Sequence, residues 1–277
     1  MIDLLRADLK RAFKDKLVIV LCVIGGIFAV SGPLLYKAIF WLLGSDQSLM
    51  QELEMLGLSI NAKTLFFNAF APNDNFGLIL PIFVAIIMCR DFNHGTIRNK
   101  IICGKSRVSI YFSMLITCAV LICTFIFAHA ILTLLASLIF FDFQSTKFTA
   151  SDLGYTFASI GMELLVYLLI SAVLVLFIVL IRRTGLAIVL YFVFVFSLTI
   201  VGAITSVVSM FIEADAGAKV VYAVIEFLDI ANAFNGGIGV GTTYKLKEVL
   251  FFVLPNVALI AGVILLALFS FKKKDLK

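Results

Sequence analysis

The sequence predicts an all-α membrane protein with six transmembrane helices and both termini in the cytoplasm, and three observations lead there. Of 277 residues, 62% are hydrophobic and only 14% charged, against roughly 45–50% and about 25% in a soluble domain. Six stretches are long and apolar enough to cross a bilayer, which takes about 20 residues. The basic residues gather in those connections that an even number of crossings leaves on one side.

The first sixteen residues are charged, and Ile2, Leu5, Leu9, Ala12 and Phe13 recur among them at helical spacing, with Arg6, Lys10, Arg11 and Lys14 on other faces. Residues 1–16 read as an amphipathic helix on the inner membrane surface, cations toward anionic headgroups; a solvated charged tail is the plainer alternative. The apolar run that follows exceeds the roughly 7–15 residues of a signal-peptide core, so the N-terminus is expected to stay on the protein.

Residues 17–271 then form one membrane domain. Its spans are Leu17–Leu43, Pro72–Cys89 (interrupted by Pro81), Val108–Phe141, Phe157–Ile181, Gly185–Ile212 and Val249–Phe271. Only Arg182, Arg183 and Thr184 separate the fourth and fifth, which predicts a tight hairpin. The outer loops are 44–71, 142–156 and 213–248. The first carries Leu49, Leu53, Leu56 and Ile60 at helical spacing, and the last carries Val220, Val221, Val224, Ile225 and Leu228. Both predict short helices that dip into or cap the outer leaflet. A basic tail, 272–277, ends the chain.

Charge fixes the orientation. Segments 1–16, 90–107, 182–184 and 272–277 hold 16 of the 22 Lys and Arg residues, and positive residues favour the cytoplasmic side. The net charge of +5 therefore reads as topology, and nucleic acid is not an expected partner. Five cysteines with no CxxC pair point to neither a disulfide framework nor a metal site.

The inner loop 90–107 holds more than a topological signal requires. It reads Arg90-Asp91-Phe92-Asn93-His94-Gly95-Thr96-Ile97-Arg98-Asn99-Lys100 and continues to Gly104-Lys105-Ser106-Arg107. An acid, a Gly-Thr break and a short helical run over Thr96–Cys103, with Thr96 as its cap, predict a basic helix lying parallel to the membrane and presented to a cytoplasmic partner. Gly104-Lys105-Ser106 matches only the end of a P-loop, because Asn99 stands where that motif needs a glycine and no strand precedes it. With two histidines, and no HExxH, GxSxG or paired acids in a span, the chain is not expected to be an enzyme.

On Asp91, Gly95, Thr96, Ile97, Arg98, Asn99, Lys100, Gly104, Ser106 and Arg107, followed by a long span, the chain resembles the ABC-2 type ABC transporter permeases, in particular small Gram-positive permeases of antimicrobial-peptide immunity and toxin-peptide export. The resemblance extends to the whole layout. It implies that loop 90–107 is a coupling helix docking on a separate ATPase subunit, with Asp91, Gly95, Thr96, Ile97, Arg98, Asn99, Lys100 and Arg107 as the coupling residues. It further implies a second permease copy or a related chain, ATP and Mg2+ on the partner ATPase with no cofactor in this chain, and a place in the bacterial cell membrane.

Polar residues inside spans attract functional attention. His129 and Glu163 are candidates for a substrate or proton pathway; an interhelical hydrogen bond for His129 and an interfacial position for Glu163 are the structural alternatives. The expected function is the permease subunit of an ATP-driven exporter moving a hydrophobic or amphipathic substrate, such as a peptide toxin, an antimicrobial peptide or a lipid-like compound. An ion-gradient-driven secondary transporter and a non-transporting membrane sensor are the other readings.

Overall fold

The computed structural model describes residues 1–43, 61–70, 79–141, 150–211 and 246–273. All regular structure among them is helical: α1 (Ile2–Phe13), α2 (Lys16–Leu43), α3 (Ala62–Asn68), α4 (Leu80–Asn93), α5 (Thr96–Ile102), α6 (Arg107–Phe140), α7 (Ala150–Ile181), α8 (Thr184–Phe211) and α9 (Leu246–Lys273). Among the described residues four helical stretches are long and apolar enough to cross a membrane, Lys16–Ile39, Arg107–Phe140, Thr156–Ile181 and Phe252–Lys273. The apolar stretch Thr184–Ser197 opens α8. The helical patterns expected over 49–60 and 220–228 lie outside the described residues.

Helices α6 and α7 form the centre. Helix α6 packs against α1, α2, α3, α4, α7 and α9, and α7 packs against α4, α8 and α9. The core they share is apolar, built from side chains such as Ile110, Leu121, Ile126, Val166, Val173 and Ile178. The outside is apolar as well. Val23 and Ile27 on α2, Val189 and Phe196 on α8, and Leu265 and Phe269 on α9 are all exposed. Apolar patches beyond a few hundred Å2 are rare on proteins that stand in water. These surfaces are suited to lipid, so the chain is a helical membrane protein.

One local feature differs from the sequence expectation and another, the tight hairpin, takes the form expected. Pro81 does not interrupt a helix but stands in the first turn of α4, where its fixed φ and missing N–H cost nothing. Helices α7 and α8 reverse over Arg182 and Arg183 alone, with Arg182 at φ 58°. A non-glycine residue in that left-handed region costs about 1–2 kcal/mol, and the packing of α7 on α8 is what offsets it.

Helix α3 shows how a segment between spans is drawn into the bundle. Asn61 and Thr64 form a reciprocal cap, each side chain accepting from the other's backbone N–H at 2.8 and 3.1 Å. Leu65, Phe67, Ala69 and Phe70 are then buried, and the Phe70 ring meets Phe127 of α6 edge-on at 5.4 Å. The Tyr167 hydroxyl of α7 donates to the Phe70 carbonyl at 2.6 Å. Tyr167→Phe strands that buried carbonyl and is expected to lower stability by about 1–3 kcal/mol, read as a lower unfolding midpoint of the detergent-solubilised chain; an unchanged midpoint would mean the bond contributes nothing net.

Candidate functional site: a charged cluster beneath the loop helix

The loop from Asp91 to Arg107 is built by a stop and a restart. Helix α4 ends at Asn93, and Gly95 takes φ +67°, a left-handed conformation that glycine adopts without strain. It is Gly95, not Thr96, that stands at the N-cap of α5, and no side chain caps that helix. Gly104 (φ +78°) ends it, and the Lys105 N–H reaches back to the Lys100 carbonyl at 3.1 Å. Ser106 then caps α6, its hydroxyl accepting from the Ser109 N–H at 3.2 Å. Two glycines and a serine thus set α5 between two longer helices, with Ile97 as its one buried residue, 2% exposed.

Beneath α5 lies a cluster of charges. Lys100 bonds both oxygens of Asp8 at 2.7 and 2.9 Å and lies 3.8 Å from Asp91. Arg11 pairs closely with Asp91 and lies 3.6 Å from Asp8, and the Ser113 hydroxyl of α6 donates to Asp8 at 2.7 Å. Asp8 and Asp91 are 6% and 4% exposed. Two buried carboxylates are tolerable only where cations and donors surround them, and here two cations and a hydroxyl do. Burial still holds the Asp91 carboxyl above its ordinary 3.8, against the pull of Arg11 and Lys100. A more exposed pair, Arg90 with Asp15 at 2.6 Å, extends the contact between α4 and the N-terminal segment.

Helix α1 is therefore docked on the body through the line Leu4, Asp8 and Ala12. Ile2 and Phe13, on the apolar face expected to meet the membrane surface, are exposed and take no part in this docking. The missed residue is Asp8. Its signal is weak, since an acid at i and i+4 spacing from Leu4 and Ala12 means nothing until a cation from another segment is known.

The coupling residues expected from sequence separate by direction. Asp91, Ile97 and Lys100 turn inward, to the cluster and the core. Arg98 and Asn99 are exposed, and Gly95 and Thr96 are half-buried. Arg107 is half-buried, and its guanidinium donates to the carbonyls of Phe271 and Lys272 at 3.3 and 2.7 Å, capping the negative end of α9. Ile102, not singled out by sequence, is the most exposed apolar residue of the loop at 73%.

The two intramembrane candidates lie elsewhere. On α6, His129 approaches the Gly25 carbonyl of α2 through Nδ1 at 3.3 Å; a carbonyl only accepts, so Nδ1 bears the hydrogen. On α7, Glu163 is 6% exposed, and its Oε2 has no hydrogen-bond partner among the described residues. No group of three or more His, Cys, Asp and Glu side chains among the described residues is placed to hold a metal ion.

With this much in view, the chain falls in the class of polytopic helical membrane proteins that present a short, ion-paired loop helix beside an N-terminal helix. It belongs to a family described as a protein of unknown function, DUF2705, whose profile matches residues 63–277. Arg11 and Asp8 precede that match, whereas Asp91, Lys100 and Ser113 fall within it. No curated protein matches the sequence.

Proposed function

We propose that the chain is the membrane-spanning subunit of an ATP-driven bacterial exporter, joined through loop 90–107 to a separate ATPase that binds ATP and Mg2+. In this reading six helices cross the cell membrane, both termini are cytoplasmic, and a second copy or a related chain completes the path. The substrate is hydrophobic or amphipathic, a peptide or a lipid-like compound, because the spans carry almost no charge.

The observation that carries the reading is the divided loop helix. Its inner face is fixed to the body through Ile97 and through Lys100, which meets Asp8 and Asp91, while Arg98, Asn99 and Ile102 stand outside. A helix that passes motion between subunits needs both properties, since a loosely attached one would absorb displacement instead of transmitting it.

The test is to extract the intact chain gently from its native membrane and measure ATP hydrolysis retained on it. Retained hydrolysis that Arg98→Glu reduces by about tenfold or more, the effect of reversing one charge in a desolvated contact, supports the reading. If no ATPase is retained, or the reversal changes nothing, the reading fails.

One observation favours a second reading. A buried carboxyl on a spanning helix, Glu163, is the kind of group on which ion-driven transporters rely. Transport that collapses with an ionophore but survives ATP depletion would select it.

A further inference from the structure

Between α2, α3 and α6 lies a cavity of about 130 Å3, lined by Gly32, Tyr36, Asn68, His129 and Thr133 among others. One water requires only roughly 10–15 Å3 of such space, so there is room for a group of several non-hydrogen atoms. Thr133 is 7% exposed, and its hydroxyl has no hydrogen-bond partner among the described residues. An unpaired hydroxyl buried among apolar helices costs free energy, and a guest that bonds to it removes that cost.

Charge narrows the guest. Among the described residues no Lys, Arg, Asp or Glu lines the cavity, and a buried ionised group without a counter-ion is strongly disfavoured. Lys37, next to Tyr36, is turned away, its ammonium 3.5 Å from the Phe140 carbonyl and over the Phe141 ring. The polar side chains that do line it, a phenol, a carboxamide, an imidazole and a hydroxyl, suit an uncharged group that both donates and accepts. Depth narrows it further. Thr133 precedes the end of α6 at Phe140 by roughly 10 Å at 1.5 Å per residue, near the level where a lipid's polar head meets its chains. Phe28 and Tyr36, on the α2 wall, are exposed on the outside of the bundle, where an acyl chain would lie.

We propose that this cavity is a binding site for the uncharged, hydroxyl-bearing head of a neutral amphiphile, a monoacylglycerol being the type. The site stands on the cavity alone and does not require an ATPase.

The experiment is native mass spectrometry of the intact, detergent-purified chain with equal amounts of monooleoylglycerol, oleate and oleylamine. Monooleoylglycerol is expected to be retained over both ionised analogues. Thr133→Val, which keeps the shape and removes the hydroxyl, is expected to cut that retention roughly five- to tenfold, the scale of one uncharged hydrogen bond, and Thr133→Ser to preserve it. Should the valine variant fold poorly, Gly32→Leu gives a second probe. Gly32 lines the cavity and a Cβ there meets nothing within 4 Å, so a larger side chain has room to occupy it and should abolish retention. Equal retention of all three amphiphiles, no retention of any, or retention unchanged in both variants would overturn the proposal.

Discussion

Lys100→Met is expected to lower the stability of the folded chain by about 3–5 kcal/mol at neutral pH, the usual cost of removing one partner from a buried ion pair. The mutation strands two carboxylates. Asp8 loses both bonds from the ammonium, and Asp91 loses a cation at 3.8 Å. Of the two cations only Arg11 would then serve both, from a side chain that is 44% exposed, with the Ser113 hydroxyl still on Asp8. The pH dependence has a definite sign. Because burial raises the Asp91 carboxyl above 3.8 in the folded chain, the folded form holds its proton more tightly than the unfolded form. Stability linked to Asp91 therefore falls as pH rises from about 3.8 through the raised value. Removing Lys100 takes away one of the cations that oppose the rise, so the deficit is largest at neutral pH and shrinks in acid. Adding Asp8→Asn removes one stranded charge and should restore part of the loss. Unfolding midpoints at pH 7.5 and pH 5 in detergent decide the matter. A deficit that is equal at both, and that Asp8→Asn does not reduce, would show that Lys100 acts by packing instead of charge.

Ile97→Ala is the second large effect, and it is local. Ile97 is the only buried residue of α5, so truncation removes the apolar half of the helix's attachment, at about 2–5 kcal/mol for an Ile-to-Ala change in a packed site. The ionic half remains through Lys100. The bundle should stay folded while α5 leaves the body more often, by about 30-fold for 2 kcal/mol. Trypsin applied to opened membrane vesicles, so that both faces are reached, would report this as faster cutting after Arg98 and Lys105. A cutting rate equal to that of the unaltered chain would mean that the ion pairs hold α5 by themselves.

Much of the architecture is legible in the sequence because hydropathy is a one-dimensional signal. Stretches such as Val108–Phe141 need no partner to declare themselves, and the glycines at 95 and 104 mark where α5 begins and ends. What stays hidden depends on segments far apart in the chain. Nothing near Asp91 or Lys100 reveals that both face inward, because the groups that receive them, Arg11 and Asp8, lie 80 and 92 positions away. The apolar pattern of α1 is silent about its docking for the same reason: a carboxylate sits in the middle of the buried line Leu4, Asp8 and Ala12. Pro81 looks like a break until the start of α4 is known. The cavity beside Thr133 depends on three helices together, and no periodicity announces an empty volume.

The cluster around Asp8 also says something about how the chain comes into being. Asp8 is made well before the partners that other segments bring to it, with Lys100 lying 92 and Ser113 105 positions later. At roughly 5–20 residues per second, α1 has only its own Arg11 to offset Asp8 for on the order of 5–20 seconds before Lys100 and Ser113 exist. Through that interval it is a solitary amphipathic segment, held by the membrane surface if by anything. Helix α1 is thus made before the segments it docks on, and its docking is a sign that loop 90–107 and the head of α6 have already been built.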